Sequence, residues 1–145
     1  KPIALHIEET GYPLTNKFYT RKPTEGKGGN VIPKPYYGFS SGPVAVALAA
    51  NDQYRRIYMV GFDLGPNQDQ KFNNLYAGTE FYKGIGSNPT YTGNWIEQIV
   101  EIAKHYPKTQ FKRVHGATTA EIPQFESISN LLTVPVQQFL QQVMP

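Results

Sequence analysis

The sequence predicts an α/β fold with a mostly parallel sheet flanked by helices, and three observations carry that expectation. An alanine-rich helix, about Gly42 to Asn51, runs into the apolar strand of "RRIYMVGF". A helical period from Asn94 to Tyr106 is followed by a second strand, "TQFKRVH". A third strand, "NLLTV", leads into helical spacing from Pro135 to Val143. Strand, helix, strand, helix is the order a parallel sheet needs, since each parallel neighbour requires a crossover.

Taken in chain order, Pro2 to Ile7 alternates and is rich enough in β formers to predict a strand. From Glu9 to Pro35 the composition shifts to Gly, Pro, Thr, Lys and Asn, including "KPTEGKGGN", and no apolar period survives, which predicts a long loop or arm. "GKGG" lacks phosphate-loop spacing and is flanked by neither a strong strand nor a helix pattern. Ser40 and Ser41 are good N-cap residues and Pro43 suits a first helical turn. The small alanines let this helix lie close on a sheet, and Asn51–Asp52 ends it. Ile57, Met59, Val60 and Phe62 make a near-continuous apolar strand, the pattern of one covered on both faces.

Asp63 to Gly93 carries Gly65–Pro66, Asn73–Asn74, Gly84, Gly86 and Pro89 and cannot be one regular element. An insert of that length inside a compact domain is usually functional or mobile. Trp95, Ile96, Ile99, Val100, Ile102, Ala103 and Tyr106 then cover one broad helical face, and Pro107 closes it.

The chain has 145 residues, enough for a single domain with a real core: residues 1–35 as a strand plus a basic Pro/Gly-rich arm, 36–145 as the core. No apolar run reaches the roughly 18 to 20 residues of a membrane span, so a soluble protein is expected. The absence of cysteine removes disulfides, thiolate metal sites and thiol nucleophiles. The chain begins at Lys1 with no charged-then-apolar leader, which reads as a processed, trimmed or fragmentary chain with no export signal. The net charge of +3 arises in the arm, where residues 1–35 hold six Lys or Arg against three Glu. So small a surplus, without a recognised module, does not point to nucleic acid.

In open α/β sheets, ligands bind beyond the carboxyl ends of the strands, where helix N-termini also present unpaired amides. That rule selects the helix start Ser40–Ser41–Gly42 and the loop after Phe62. The loop holds Phe72, Tyr76, Phe81, Tyr82, Tyr91 and Trp95 among amides and hydroxyls such as Asn73, Asn74 and Thr79. Rings with polar edges suit a sugar or a base; alternatively Phe72, Phe81 and Trp95 pin the loop to the core. Asp63, at a strand end, is placed for a ribose or a metal, but a lone carboxylate cannot hold a hard cation, and turn capping is its plainer role. His6, His105 and His115 are too scattered to bind metal. His6 falls in the first strand and His105 at a helix C-terminus, leaving His115 at a strand end as the histidine placed for chemistry, with a surface or core role as the alternative.

From "SSGPVAVALAANDQYRRIYMVGFDLG" the chain resembles the bacterial sialyltransferases that decorate lipooligosaccharide. There a Thr-Ser-Gly helix start leads through an Ala-rich helix to a strand of the form "IYLSGIDF". The chain is also similar, over about residues 36 to 115, to short sialyltransferase-like proteins of bacteriophages of marine bacteria, through "NNLYAGTEFY", "TGNWIEQI" and "FKRV". The resemblance implies a Rossmann-like fold binding a cytidine-type nucleotide sugar at Ser41 and Gly42, with Tyr76 or Tyr82 donating to the departing phosphate and no further cofactor. Sugar transfer also needs a base on the acceptor hydroxyl. The family places a histidine just before the next helix, where this chain has Thr92, Gly93 and Asn94, and the family's glycine-rich first half is not visible before residue 36. Three readings follow: a remnant that still binds nucleotide or sugar; a phage accessory or virion-associated assembly module, in the host cytoplasm or virion, whose arm lies over a neighbouring subunit of a homo-oligomer; or a working transferase whose base is His115 or comes from a partner.

Overall fold

Where the sequence predicts an N-terminal strand, the chain forms a helix, α1 (Ile3–Thr10), in a computed structural model that describes residues 3–13, 15–66, 68–71, 77–80, 82–88 and 91–144. Six alternating residues mark a strand only weakly, and Gly11 supplies the missing stop signal. Gly11 takes a left-handed φ of 62° and the Tyr12 N–H returns to the Ile7 carbonyl at 3.3 Å, the Schellman closure of a helix. His6 therefore lies on a helix, exposed, and not in a strand.

The described residues form two compact units, Lys1–Phe39 and Ser40–Pro145. In the first, the expected loop contains β1 (Phe18–Thr20) and β2 (Gly29–Val31), paired parallel with Phe18 opposite Gly29, followed by a 3-10 turn at Lys34–Tyr36. Strands of three residues are too short to leave a period in a sequence. Glu8, 7% exposed, organises the connection by accepting from the Thr24 N–H at 3.0 Å and the Thr24 hydroxyl at 2.7 Å. Those two bonds hold the Glu8 carboxyl below the usual carboxylate range; burial opposes the shift and the Lys27 charge reinforces it.

The second unit is the α/β core. In order it runs α2 (Ser41–Asn51), β3 (Arg56–Met59), α3 (Gly93–His105), β4 (Gln110–His115), α4 (Pro123–Glu126), β5 (Leu131–Pro135) and α5 (Val136–Val143). The sheet is parallel in the order β3-β4-β5, with α3 and α4 as crossovers. The register aligns Ile57, Phe111 and Leu131 on one face, while Tyr58, Lys112 and Leu132 fall on the other.

The first face is the core. Phe111 is fully buried, as are Ile99, Ile102 and Ala103 of α3, and Phe125 of α4 is nearly so. Helix α2 packs on α3 and β3 through Val44, Val46, Ala47 and Ala50, whose small side chains permit the close approach. The opposite face carries α5, with the Phe139 ring 5.1 Å from that of Tyr58. Gln142 of α5 accepts from the Tyr58 hydroxyl at 2.7 Å and from Lys112 Nζ at 3.2 Å.

The strand expected through Phe62 is shorter than its apolar run. It ends at Met59, and Val60 stands 61% exposed. Continuous hydrophobicity in "IYMVGF" therefore overstates the burial, because Gly61, at a φ of 75°, turns the chain away.

Candidate ligand-binding rim

The carboxyl ends of β3 and β4 and the starts of α2 and α3 are drawn together by four specific contacts. Helix α2 begins under the aromatic ring that follows β3: a Cβ on Gly42 would lie 3.1 Å from Phe62 Cε1, so a glycine there allows the approach. Arg113 of β4, only 1% exposed, donates from Nε to the Phe62 carbonyl at 2.7 Å and from Nη2 to the Asp63 carbonyl. The Thr92 hydroxyl, at the start of α3, donates to the Leu64 carbonyl at 2.8 Å. Gln98 of α3 accepts from the Ser40 N–H at 2.9 Å, tying the two helix starts.

The electrostatics of the rim are set by one buried cation. Desolvation pulls the Arg113 guanidinium below its ordinary value and the charge of Asp63 pushes the other way. Burying a guanidinium is costly unless its N–H groups are satisfied, and the two carbonyls after β3 supply that. The loop after β3 is thereby fastened to the middle strand.

Ser40 is the N-cap of α2 as expected, but its side chain makes no capping hydrogen bond. Thr92, the N-cap of α3, likewise makes none, its hydroxyl being spent on Leu64. By position, the first amides of each helix have no intrahelical acceptor. Ser41 is exposed and Gly42 half-buried against Phe62. The structure thus brings Ser40, Ser41, Gly42 and Asp63 to one rim. Asn74 and Tyr76 lie outside the described residues, as do Phe72, Asn73 and Phe81. Tyr82 is 47% exposed, in a turn closed by its N–H on the Thr79 carbonyl at 3.1 Å; Tyr91 is 78% exposed. Trp95 sits half-buried on α3.

His115 is the last residue of β4, opposite Pro135, with Nδ1 3.3 Å from the Gly116 carbonyl. In the tautomer that donates there, Nε2 holds the lone pair and is the basic atom. His115 borders a cavity of about 480 Å³ that runs between β5 and α4 and is also lined by Glu121, Glu126 and Thr133. The loops after β3 and β4 meet beside it: Gln68 Nε2 donates to the Ala117 carbonyl at 2.9 Å, and a Cβ on Gly65 would lie 2.8 Å from that of Ala120. Asn94 is exposed on α3, and His105 stacks edge-on against Tyr106 with centroids 4.9 Å apart. Among the described residues no three His, Asp or Glu side chains gather as metal ligands, and no helix is long and apolar enough to cross a membrane.

Arg113, the residue that organises the rim, escapes a motif search. A signal for it exists in "QFKRVH": Phe111 marks the inward face, and strict alternation places Arg113 on that same face. Gln98 leaves no such trace, being one amide on an amphipathic helix.

Compared with known proteins, the chain matches no family model, no curated protein and no solved structure.

Proposed function

We propose that the Ser40–Pro145 unit is a sialyltransferase-like, Rossmann-like domain that binds a cytidine-type nucleotide sugar at the carboxyl rim of its sheet. The observation that supports this reading is the convergence of the α2 start with Phe62 and Asp63, fastened by Arg113. The first amides of α2, which by position lack an intrahelical acceptor, suit an anionic phosphate, which helix N-termini attract. On this reading Asp63 takes a ribose hydroxyl, and the resemblance assigns Tyr76 or Tyr82 to donate to the phosphate.

Transfer requires a base on the acceptor hydroxyl, and neither Thr92, Gly93 nor Asn94 has one to offer. His115 is the remaining candidate. The reading is therefore of a binding domain first, with catalysis as a separate question that His115→Ala addresses: binding is retained and any transfer is lost.

Cytidine monophosphate and its sialic acid conjugate are expected to raise the melting temperature of the protein. Ligand at a hundredfold its Kd stabilises by about 2.7 kcal/mol. Tyr76→Phe combined with Tyr82→Phe should abolish that response. Absence of a shift with any nucleotide across a broad panel would overturn the proposal.

One observation favours a second reading, an assembly module without catalysis. Helix α5 carries no charged residue and leaves Val136, Leu140 and Val143, at i, i+4 and i+7, about two-fifths exposed, as is Leu132 of β5. Light scattering on the intact chain distinguishes the readings, since assembly through this row requires more than one chain per particle and Leu140→Glu should dissolve it.

A further inference from the structure

Strand β5 is an edge, and its backbone defines a site. In the parallel pairing, the Phe111 N–H donates to the Asn130 carbonyl at 2.8 Å, which directs the N–H and C=O groups of Leu132 toward β4. The alternate residues face the other way. The Leu131 carbonyl and both backbone groups of Thr133 therefore point out of the sheet, and among the described residues no strand pairs with them. Pro135 ends this row, since it has no N–H to offer.

The cavity of about 480 Å³ lies between β5 on one side and the Thr119–Ile122 segment and α4 on the other, and reaches Arg113 and His115 of β4. A groove between a strand edge and a helix is the form that accepts an extended chain as an additional strand. Its ionisable lining comprises Glu121, Glu126, His115 and Arg113. The Arg113 guanidinium is committed to the Phe62 and Asp63 carbonyls, while both glutamates are exposed. The Arg113 charge remains but is buried, so the two carboxylates outnumber it and the exposed side-chain charge offered to an occupant is negative.

We propose that this groove binds an extended peptide segment carrying a lysine or arginine, paired to the outer edge of β5 through Leu131 and Thr133 and attracted by Glu121 and Glu126. A second copy of the chain fits less well. Edge-to-edge pairing of two β5 strands would bring two acidic walls together, and like charges oppose that contact. The inference is independent of the nucleotide-sugar reading.

The test is fluorescence polarisation with a labelled hexapeptide of alternating valine and lysine, and with the same peptide methylated on alternate backbone nitrogens. Saturable binding of the first and none of the second is expected. Glu121→Gln with Glu126→Gln should weaken it about fivefold, in the range of two exposed ion pairs. Thr133→Pro removes an outward N–H while leaving the bonds to β4, and should weaken binding about tenfold. On the wild-type chain, which avoids any folding defect of that variant, peptide should slow hydrogen exchange at the Thr133 amide. Equal binding of the methylated peptide, no saturable binding, or a peptide-free dimer that Thr133→Pro converts to monomer would each overturn the proposal.

Discussion

The two ends of the parallel sheet are closed by different chemistry. At the amino end the Asn130 amide donates from Nδ2 to the carbonyls of Ala103, Tyr106 and Thr109, at 2.9, 3.0 and 2.9 Å, gathering the last turn of α3 and the entry to β4. Thr109, 7% exposed, adds a bond from its hydroxyl to the Tyr54 carbonyl at 3.2 Å. Neutral, short side chains settle the loose carbonyls there, beside a cavity of about 550 Å³ that Arg55 and Lys108 also line. At the carboxyl end the same task falls to Arg113, a full charge, while α2 and α3 begin without side-chain caps. Satisfied polar groups make structure, whereas uncapped helix amides near a buried cation make a place for an anion. That difference is the ground for proposing the ligand site at the carboxyl rim.

Substitutions at the two ends should separate stability from binding. The largest effect is expected from Arg113→Leu, which leaves the Phe62 and Asp63 carbonyls without their charged donor. It should cost about 3 kcal/mol in chemical denaturation, in the range for charge-assisted bonds and stranded buried acceptors. It should also remove the response to nucleotide, because the loop after β3 loses its anchor. Asn130→Ala should cost about 2 kcal/mol by the same measurement and leave the nucleotide response intact. If Asn130→Ala abolished that response as fully as Arg113→Leu, the contrast between the ends would be broken.

Two smaller effects sharpen the picture. Gly42→Ala places a methyl against Phe62 and should cost about 1 kcal/mol, an overpacking penalty, while weakening nucleotide binding more than any other alanine in α2 does. In the first unit, Glu8 has a folded-state pKa below its unfolded value. Its contribution is present above the ordinary glutamate range and is lost as pH falls through the lowered value. Hydrogen exchange at the Thr24 amide should therefore quicken in strong acid relative to its intrinsic rate, and Glu8→Gln should remove that dependence.

The order of the core was legible because its elements are long or strongly patterned. "TQFKRVH" reads as a strand through Phe111 and Val114, and α3 through Ile96, Ile99 and Ile102, all buried where the period puts them. Helix α1 was not legible: Ile3 to Ile7 alternates as a strand would, and the deciding feature is a backbone closure at Gly11 that no periodicity records. The pair β1 and β2 failed for length. Ser41, Gly42 and Asp63 lie at the rim where a general rule about parallel sheets puts them. Arg113 was not legible, because a cation inside a strand looks like solvent-facing polarity until Phe111 fixes the inward face. Asn130 shows the complementary failure, since a single amide before "LLTV" looks like a turn residue although it donates to three carbonyls that lie 21 to 27 residues upstream, at the end of α3 and the entry to β4.

The central claim is that the start of α2 and the segment after β3 form one anion-binding rim. Its most direct measurement is a titration of isotope-labelled protein with cytidine monophosphate, following the backbone amide resonances of Ser41, Gly42 and Asp63. Concerted shifts of all three along one saturation curve, absent in Arg113→Leu variants that remain folded, are expected. Saturation that moves other amides while these three stay still would contradict the claim.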